Sequence, residues 1–202
     1  YISLRYLFDE QITGETGGET SRQTRPTYEE QIFILTHSYI YHPNFLKLDL
    51  GGGPVFSQAR FESDGEWSSS KDILYNYTGR LTLLENKPYP LVLYYTHLNP
   101  SVYLGLVERF LQENTRYGFN FLLRQPPSPV LLNIEAFRFR SEGTGFNRIV
   151  DETSDHAIIK AYRTFGMDDY VNFSYSWDRL ESSSGSPNLP IQETTTTTQL
   201  AD

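Results

Sequence analysis

The sequence predicts an all-β fold, an antiparallel up-and-down transmembrane β-barrel or part of one with about nine to ten long strands, and three observations carry that prediction. Apolar and polar residues alternate with a period of two. In "DYVNFSYSWDRL" (169–180), Val171, Phe173, Tyr175 and Trp177 share one parity and Asn172, Ser174, Ser176 and Asp178 the other. A strand turns successive side chains to opposite faces, so each parity is a face. The runs between breakers are mostly about ten to fourteen residues long, against about five or six in soluble domains and about nine to eleven for an oblique bilayer crossing. Short, Pro/Asn/Asp/Gly-punctuated turns also take turns with long polar connections.

The elements follow in order. Nine strands are expected at about 1–12, 28–41, 45–60, 72–84, 89–98, 112–124, 129–140, 155–165 and 169–180, with a tenth beginning near Gln199. Short turns fall at "YHPNF" (41–45), "ENKPYP" (85–90), "QPPSP" (125–129) and "GMDD" (166–169). Long flexible loops are expected at 14–27, 62–72, 141–155 and 181–198, the last Ser/Thr/Pro-rich. The segment 99–114 reads as part strand, part loop, and contains the best helical candidate, "VYLGLVERFLQ" (102–112). "GGGP" (51–54) lacks the Lys-Ser/Thr ending of a phosphate loop and reads as a strand bend or bulge. In "VLLNIEAFRFR" (130–140) the parity slips between Ile134 and Phe137, which predicts a bulge. The whole chain is taken as one domain, a barrel or a barrel segment.

Composition bounds the function. The formal charge is −8 and no Lys/Arg run relieves it, so nucleic acid is not an expected partner. There is no cysteine, hence no disulfide framework or thiolate metal site. Fifteen Tyr, thirteen Phe and two Trp make the chain aromatic-rich. No stretch is long and apolar enough for a transmembrane helix, and the opening "YISLRYLF" has no signal-peptide pattern, which suggests a mature form or a segment.

Candidate chemistry is sparse. His37, His42, His97 and His156 have no metal-ligand spacing, so neither metal nor cofactor is expected. "SSSK" (68–71) matches Ser-x-x-Lys, but that chemistry needs a helix to stack the pair, and the segment reads as a loop. Asp155–His156 at the border of a long loop and Asp168–Asp169 at a short turn do not complete an acid–base constellation, and an enzyme is not expected. Asn76-Tyr-Thr and Asn172-Phe-Ser match glycosylation sequons in mid-strand and read as coincidence.

The two parities carry the functional reading. One set, Leu48, Tyr75, Tyr77, Leu81, Val171, Phe173, Tyr175 and Trp177, is expected to face lipid. The other, Lys47, Asp49, Asn76, Arg80, Arg124, Glu135, Lys160, Asn172 and Ser174, is expected to line a lumen. Tyr39, Tyr41, Phe45, Tyr89, Phe165 and Tyr170 flank the short turns, where amphipathic rings suit one interfacial girdle.

This pattern of long alternating strands, short turns, long loops and flanking aromatics resembles the transmembrane β-barrels of Gram-negative outer membranes, particularly the large porin-like ones. The resemblance covers nearly the whole chain and rests on texture rather than a motif. It implies short periplasmic turns, extracellular loops and an outer-membrane location. The implied role is that of a pore, a scaffold around a periplasmic or lumen-bound protein partner, or an anchor for surface loops. A soluble secreted β-sandwich that binds or displays through its loops is the alternative, since it shows the same alternation with the polar face as a solvated outer surface and the apolar face in a protein core.

Overall fold

The computed structural model describes residues 2–14, 20–63, 66–104, 108–124, 129–145, 149–165, 169–185 and 191–201. Twelve strands occupy them: β1 (Ile2–Gly14), β2 (Thr20–Ile32), β3 (Ile34–Ile40), β4 (Leu46–Ser63), β5 (Glu66–Leu83), β6 (Leu91–Leu98), β7 (Ser101–Leu104), β8 (Glu108–Leu123), β9 (Leu131–Thr144), β10 (Ile149–Phe165), β11 (Asp169–Gly185) and β12 (Gln192–Ala201). Ten of them form one antiparallel up-and-down sheet in the order β1-β2-β4-β5-β6-β8-β9-β10-β11-β12, while β3 also pairs with β4 and β7 with β8. Among the described residues no ladder joins β1 to β12, so the sheet is open and does not close into a barrel.

All nine expected strands are present, and the tenth begins at Gln192 rather than near Gln199. The second is interrupted at Phe33, and β4 explains why. β2 and β3 meet β4 in one continuous register, Gln31↔Val55 and Ile34↔Gly52, but the ladder skips the positions opposite Pro54 and Gly53. Pro54 has no amide to donate. A Cβ on Gly53 would lie 1.7 Å from the Ile32 carbonyl oxygen, and one on Gly51 would lie 2.6 Å from the Phe33 ring. The glycines therefore admit a close backbone approach, and Phe33 buries its ring in the space over Gly51. The expected bend belongs to the partner strand, while β4 runs straight through.

The long connections are shorter than their polarity suggests. β1 reaches Gly14, β4 and β5 leave only 64–65 between them, and β9 reaches Thr144 before β10 begins at Ile149. The segment expected as a loop at 181–198 is largely strand, with Ser182↔Thr194 and Glu181↔Thr195 among its pairs. Thr and Ser pair well across strands, and ladder hydrogen bonds do not depend on an apolar side chain. The loop tips at 15–19, 64–65, 146–148 and 186–190, and the expected turn residues 125–128 and 166–168, lie outside the described residues. In 99–114 the described residues form β7 and the start of β8 where the helical candidate was expected, and 105–107 lie outside the described residues. The expected bulge in β9 is absent: Leu131–Thr144 pairs without a break with β10, and the ladder to β8 is equally continuous.

Where the short turns are described, they are tied side to side. The Leu84 amide donates to the Phe45 carbonyl (2.8 Å), the Arg124 amide to Pro88 (2.6 Å) and the Leu122 amide to Pro90 (3.1 Å). Asn86 donates to the Asn44 side chain at 2.7 Å, and Lys47 pairs with Glu85. Tyr41 and Leu84 take left-handed backbone angles, φ 69° and 53°, to turn the chain back.

Candidate functional site

The ladders assign every paired residue to one of two faces. One row runs Leu48–Leu81–Leu93–Phe119–Ala136–Ala157–Trp177 across seven strands. Stepping by two along each strand, the same face carries Tyr75, Tyr77, Val171, Phe173 and Tyr175, so all eight residues of the expected lipid-facing set share it. The opposite face has the row His37–Asp49–Arg80–Tyr94–Gly118–Phe137–His156–Asp178. Lys47, Asn76, Glu135, Lys160, Asn172 and Ser174 lie on that face with Asp49 and Arg80. Arg124 sits just past β8 at the turn rim, its guanidinium donating to the Glu85 carbonyl at 3.4 Å.

The apolar face is uncovered. Ile73, Tyr75 and Val171 remain 57%, 60% and 58% exposed, and Leu50, Tyr77, Leu93 and Phe173 are also exposed. The buried side chains Thr27, Phe33, Val55, Ser57, Ala59, Thr82 and Ser141 all belong to the polar face, as expected if the sheet curls toward it. His97, on the apolar face, is the exception, packed against Tyr77 at 4.4 Å and hydrogen-bonded to Thr115 at 3.1 Å.

The apolar residues form a belt whose upper border slants across the strands. On β11, β10 and β9 the belt ends at Trp177, Ala157 and Ala136, and the next residues on this face are Arg179, Asp155 and Arg138. On β8 and β6 it ends at Tyr117 and Tyr95, one row further along. On β5 and β4 it continues to Ile73 and Phe56 before Lys71 and Gln58, and on β2 and β1 Tyr28 and Tyr6 mark it. Glu30, between Tyr28 and Ile32, interrupts it at the β2 margin. With about 3.3 Å per residue and about 4.8 Å between strands, this climb inclines the border at roughly 50° to the strands.

The apparent parity slip in β9 is this border, where the apolar face turns charged and the polar face takes Phe137 and Phe139. Sequence reasoning missed the aromatics that mark it: Trp177, Tyr117, Tyr95, Phe56 and the Tyr6–Tyr28 pair, with ring centroids 6.4 Å apart for Tyr95–Tyr117 and 4.9 Å for Tyr6–Tyr28. No local signal marks these residues, because they become neighbours only through strand pairing.

Beyond the border the same face is laced by ions. Arg138 grips Asp155 through Nε (2.5 Å) and a terminal amine (2.8 Å), and Arg140 bridges Glu142 (2.7 Å) and Asp151 (3.3 Å). The hydrogen bonds from Arg138 hold the Asp155 carboxyl below its ordinary range, against the opposing effect of partial burial. Asp155 and His156 are not a catalytic pair. They point to opposite faces in mid-strand, and His156 pairs instead with Asp178 at 2.5 Å. Position 68 does not stack over Lys71, since both lie in β5. Among the described residues no cluster of His, Asp or Glu has the arrangement of a metal site.

On the polar face, His37 and Asp49 meet at 2.7 Å, and Arg116 lies over the rings of Phe137 (4.2 Å) and Tyr94 (5.7 Å). Searches of protein-family models and of curated proteins find no match to this chain.

Proposed function

We propose that this sheet is wall of an outer-membrane-type β-barrel, its apolar belt against lipid and its polar face toward the lumen. The role is non-catalytic: a pore, a scaffold around a lumen-bound partner, or an anchor for surface segments. The slanted, uncovered belt is the observation that carries the reading. Burying one large apolar side chain is worth about 1.5–3 kcal/mol, so a face of such residues left in water forgoes tens of kcal/mol. A membrane slab cuts strands tilted by about 35–45° along an oblique line, close to the border's inclination, and aromatic girdles mark both interfaces of such barrels. Here Phe165, on the apolar face, supplies one girdle together with the exposed turn rings Tyr41, Phe45 and Tyr89, while Tyr39 and Tyr170 share the polar face with Lys47 and Asn172 and drop out of it; the aromatics of the slanted border supply the other. In lipid an open edge is not tolerated, so the reading requires β1 and β12 to find partners, in each other or in further strands.

The absence of cysteine makes the test clean. Single cysteines at 173, 175 and 177 of the vesicle-reconstituted chain should react with a lipid-soluble thiol reagent and resist a water-soluble one, with 174 and 176 reversed. Protection of 173, 175 and 177 from both reagents would mean a protein core, as in a sandwich, and would overturn the barrel reading.

A further inference from the structure

We infer that the polar face carries a binding cleft for a small solute with a single oxyanion head, a carboxylate or phosphate, held by Arg80, Arg116 and the Tyr94 hydroxyl. The inference rests on the sheet's geometry and does not require lipid on the other side. The cleft, about 430 Å³, opens over β5, β6, β8 and β9, and Arg80, Tyr94, Arg116, Asn120 and Glu135 are among its lining residues. Tyr94 pairs directly with Arg80 on β5 and with Gly118 on β8, and Arg116 sits one row along. At Gly118 a Cβ would meet the Ala136 carbonyl oxygen at 2.4 Å, so β8 and β9 lie close and no side chain fills the middle of the row.

Three features set this cleft apart. Among the described residues neither Arg80 nor Arg116 has a carboxylate partner, whereas Arg138, Arg140 and Arg179 each do. Arg116 is positioned by the rings of Phe137 and Tyr94, 4.2 and 5.7 Å from its guanidinium carbon, a contact made through ring faces that take up none of its five N–H donors. The Tyr94 hydroxyl is buried with no hydrogen-bond partner, a deficit that an incoming oxygen acceptor would remove. Two forked cations and a hydroxyl donor converging on one cavity match the lone pairs of a carboxylate or phosphate. Glu135 on the far wall repels a second negative group, so the remainder of the solute is neutral or cationic.

The test uses the full chain, labelled at arginine, folded in detergent micelles and followed by NMR of the side-chain Nε–H groups. Sodium acetate and sodium phosphate are titrated against sodium chloride at constant ionic strength. Saturable shifts at Arg80 and Arg116, absent with chloride, are expected, and the salt that produces them identifies the head group. Arg80→Gln or Arg116→Gln should weaken binding about tenfold, the worth of one hydrogen bond to a charged group. Tyr94→Phe, which keeps the ring under Arg116, should weaken it severalfold with the fold intact.

Shifts that grow linearly, or that appear equally at Arg60 and Arg163, would overturn the site. Saturation without lipid-side cysteine labelling would keep the cleft and remove the barrel. The reverse pattern would keep the barrel and remove the cleft.

Discussion

Tyr175 and Ser174 are neighbours in β11 yet belong to opposite faces of the sheet. If Tyr175 points into lipid, Tyr175→Arg puts a charge at membrane depth and should cost about 2–4 kcal/mol, while Ser174→Arg should cost much less. Urea titration of the chain refolded into vesicles reads the difference, and equal losses would contradict the face assignment. A second pair of substitutions isolates backbone contact. Gly53→Ala would drive a methyl to 1.7 Å from the Ile32 carbonyl and should destabilise by about 1–3 kcal/mol. Gly79→Ala, whose Cβ would meet nothing nearer than Leu50 Cδ2 at 3.4 Å, should be close to neutral in the same titration. At this scale the sequence was readable, because parity is a local property of a strand. Residues grouped by alternation fall together on one face of the sheet, whereas Phe33 over Gly51 is a contact between strands, and no local pattern announces it.

The strands were legible in their middles and not at their ends. Segments such as 20–25, 141–144 and 192–198 look like loops to any reading that equates polarity with irregularity, yet their hydrogen bonds continue the ladders of apolar strand centres. Position along the strand also decides what a charge does. Arg138 and Asp155 face each other on β9 and β10 one row beyond the apolar belt, with Arg138 about half exposed, so their coupling in a double-mutant cycle of Arg138→Gln and Asp155→Asn should be about 1 kcal/mol or less. The sign with pH follows from the depressed Asp155 carboxyl. Its contribution is fully present above the ordinary carboxylate range and disappears as pH falls through the lower, folded-state value. The cycle repeated at neutral and strongly acidic pH should show the coupling vanish, and an unchanged coupling would mean that the ion pair is not its source.

For the whole molecule the sequence led to an up-and-down β-barrel or part of one; the structure bears out the all-β antiparallel meander and leaves the sheet open among the described residues. The belt's inclination and its second aromatic border were beyond the sequence, since both arise from the stagger of ten paired strands. As a membrane wall, the chain should stay with the bilayer through high-salt and alkaline washes and leave only with detergent, and release by alkali would count against the belt reading. The tied turn tips have a mechanical consequence. Their amides at Leu84, Leu122 and Arg124 bond across to neighbouring connections, so the margin of the sheet that carries the described short turns is hemmed. Deuterium uptake at those three amides should therefore be slow for turn positions, close to that of the ladders they adjoin. Any flexing of the wall would then open as a fan opens, about a fixed hem.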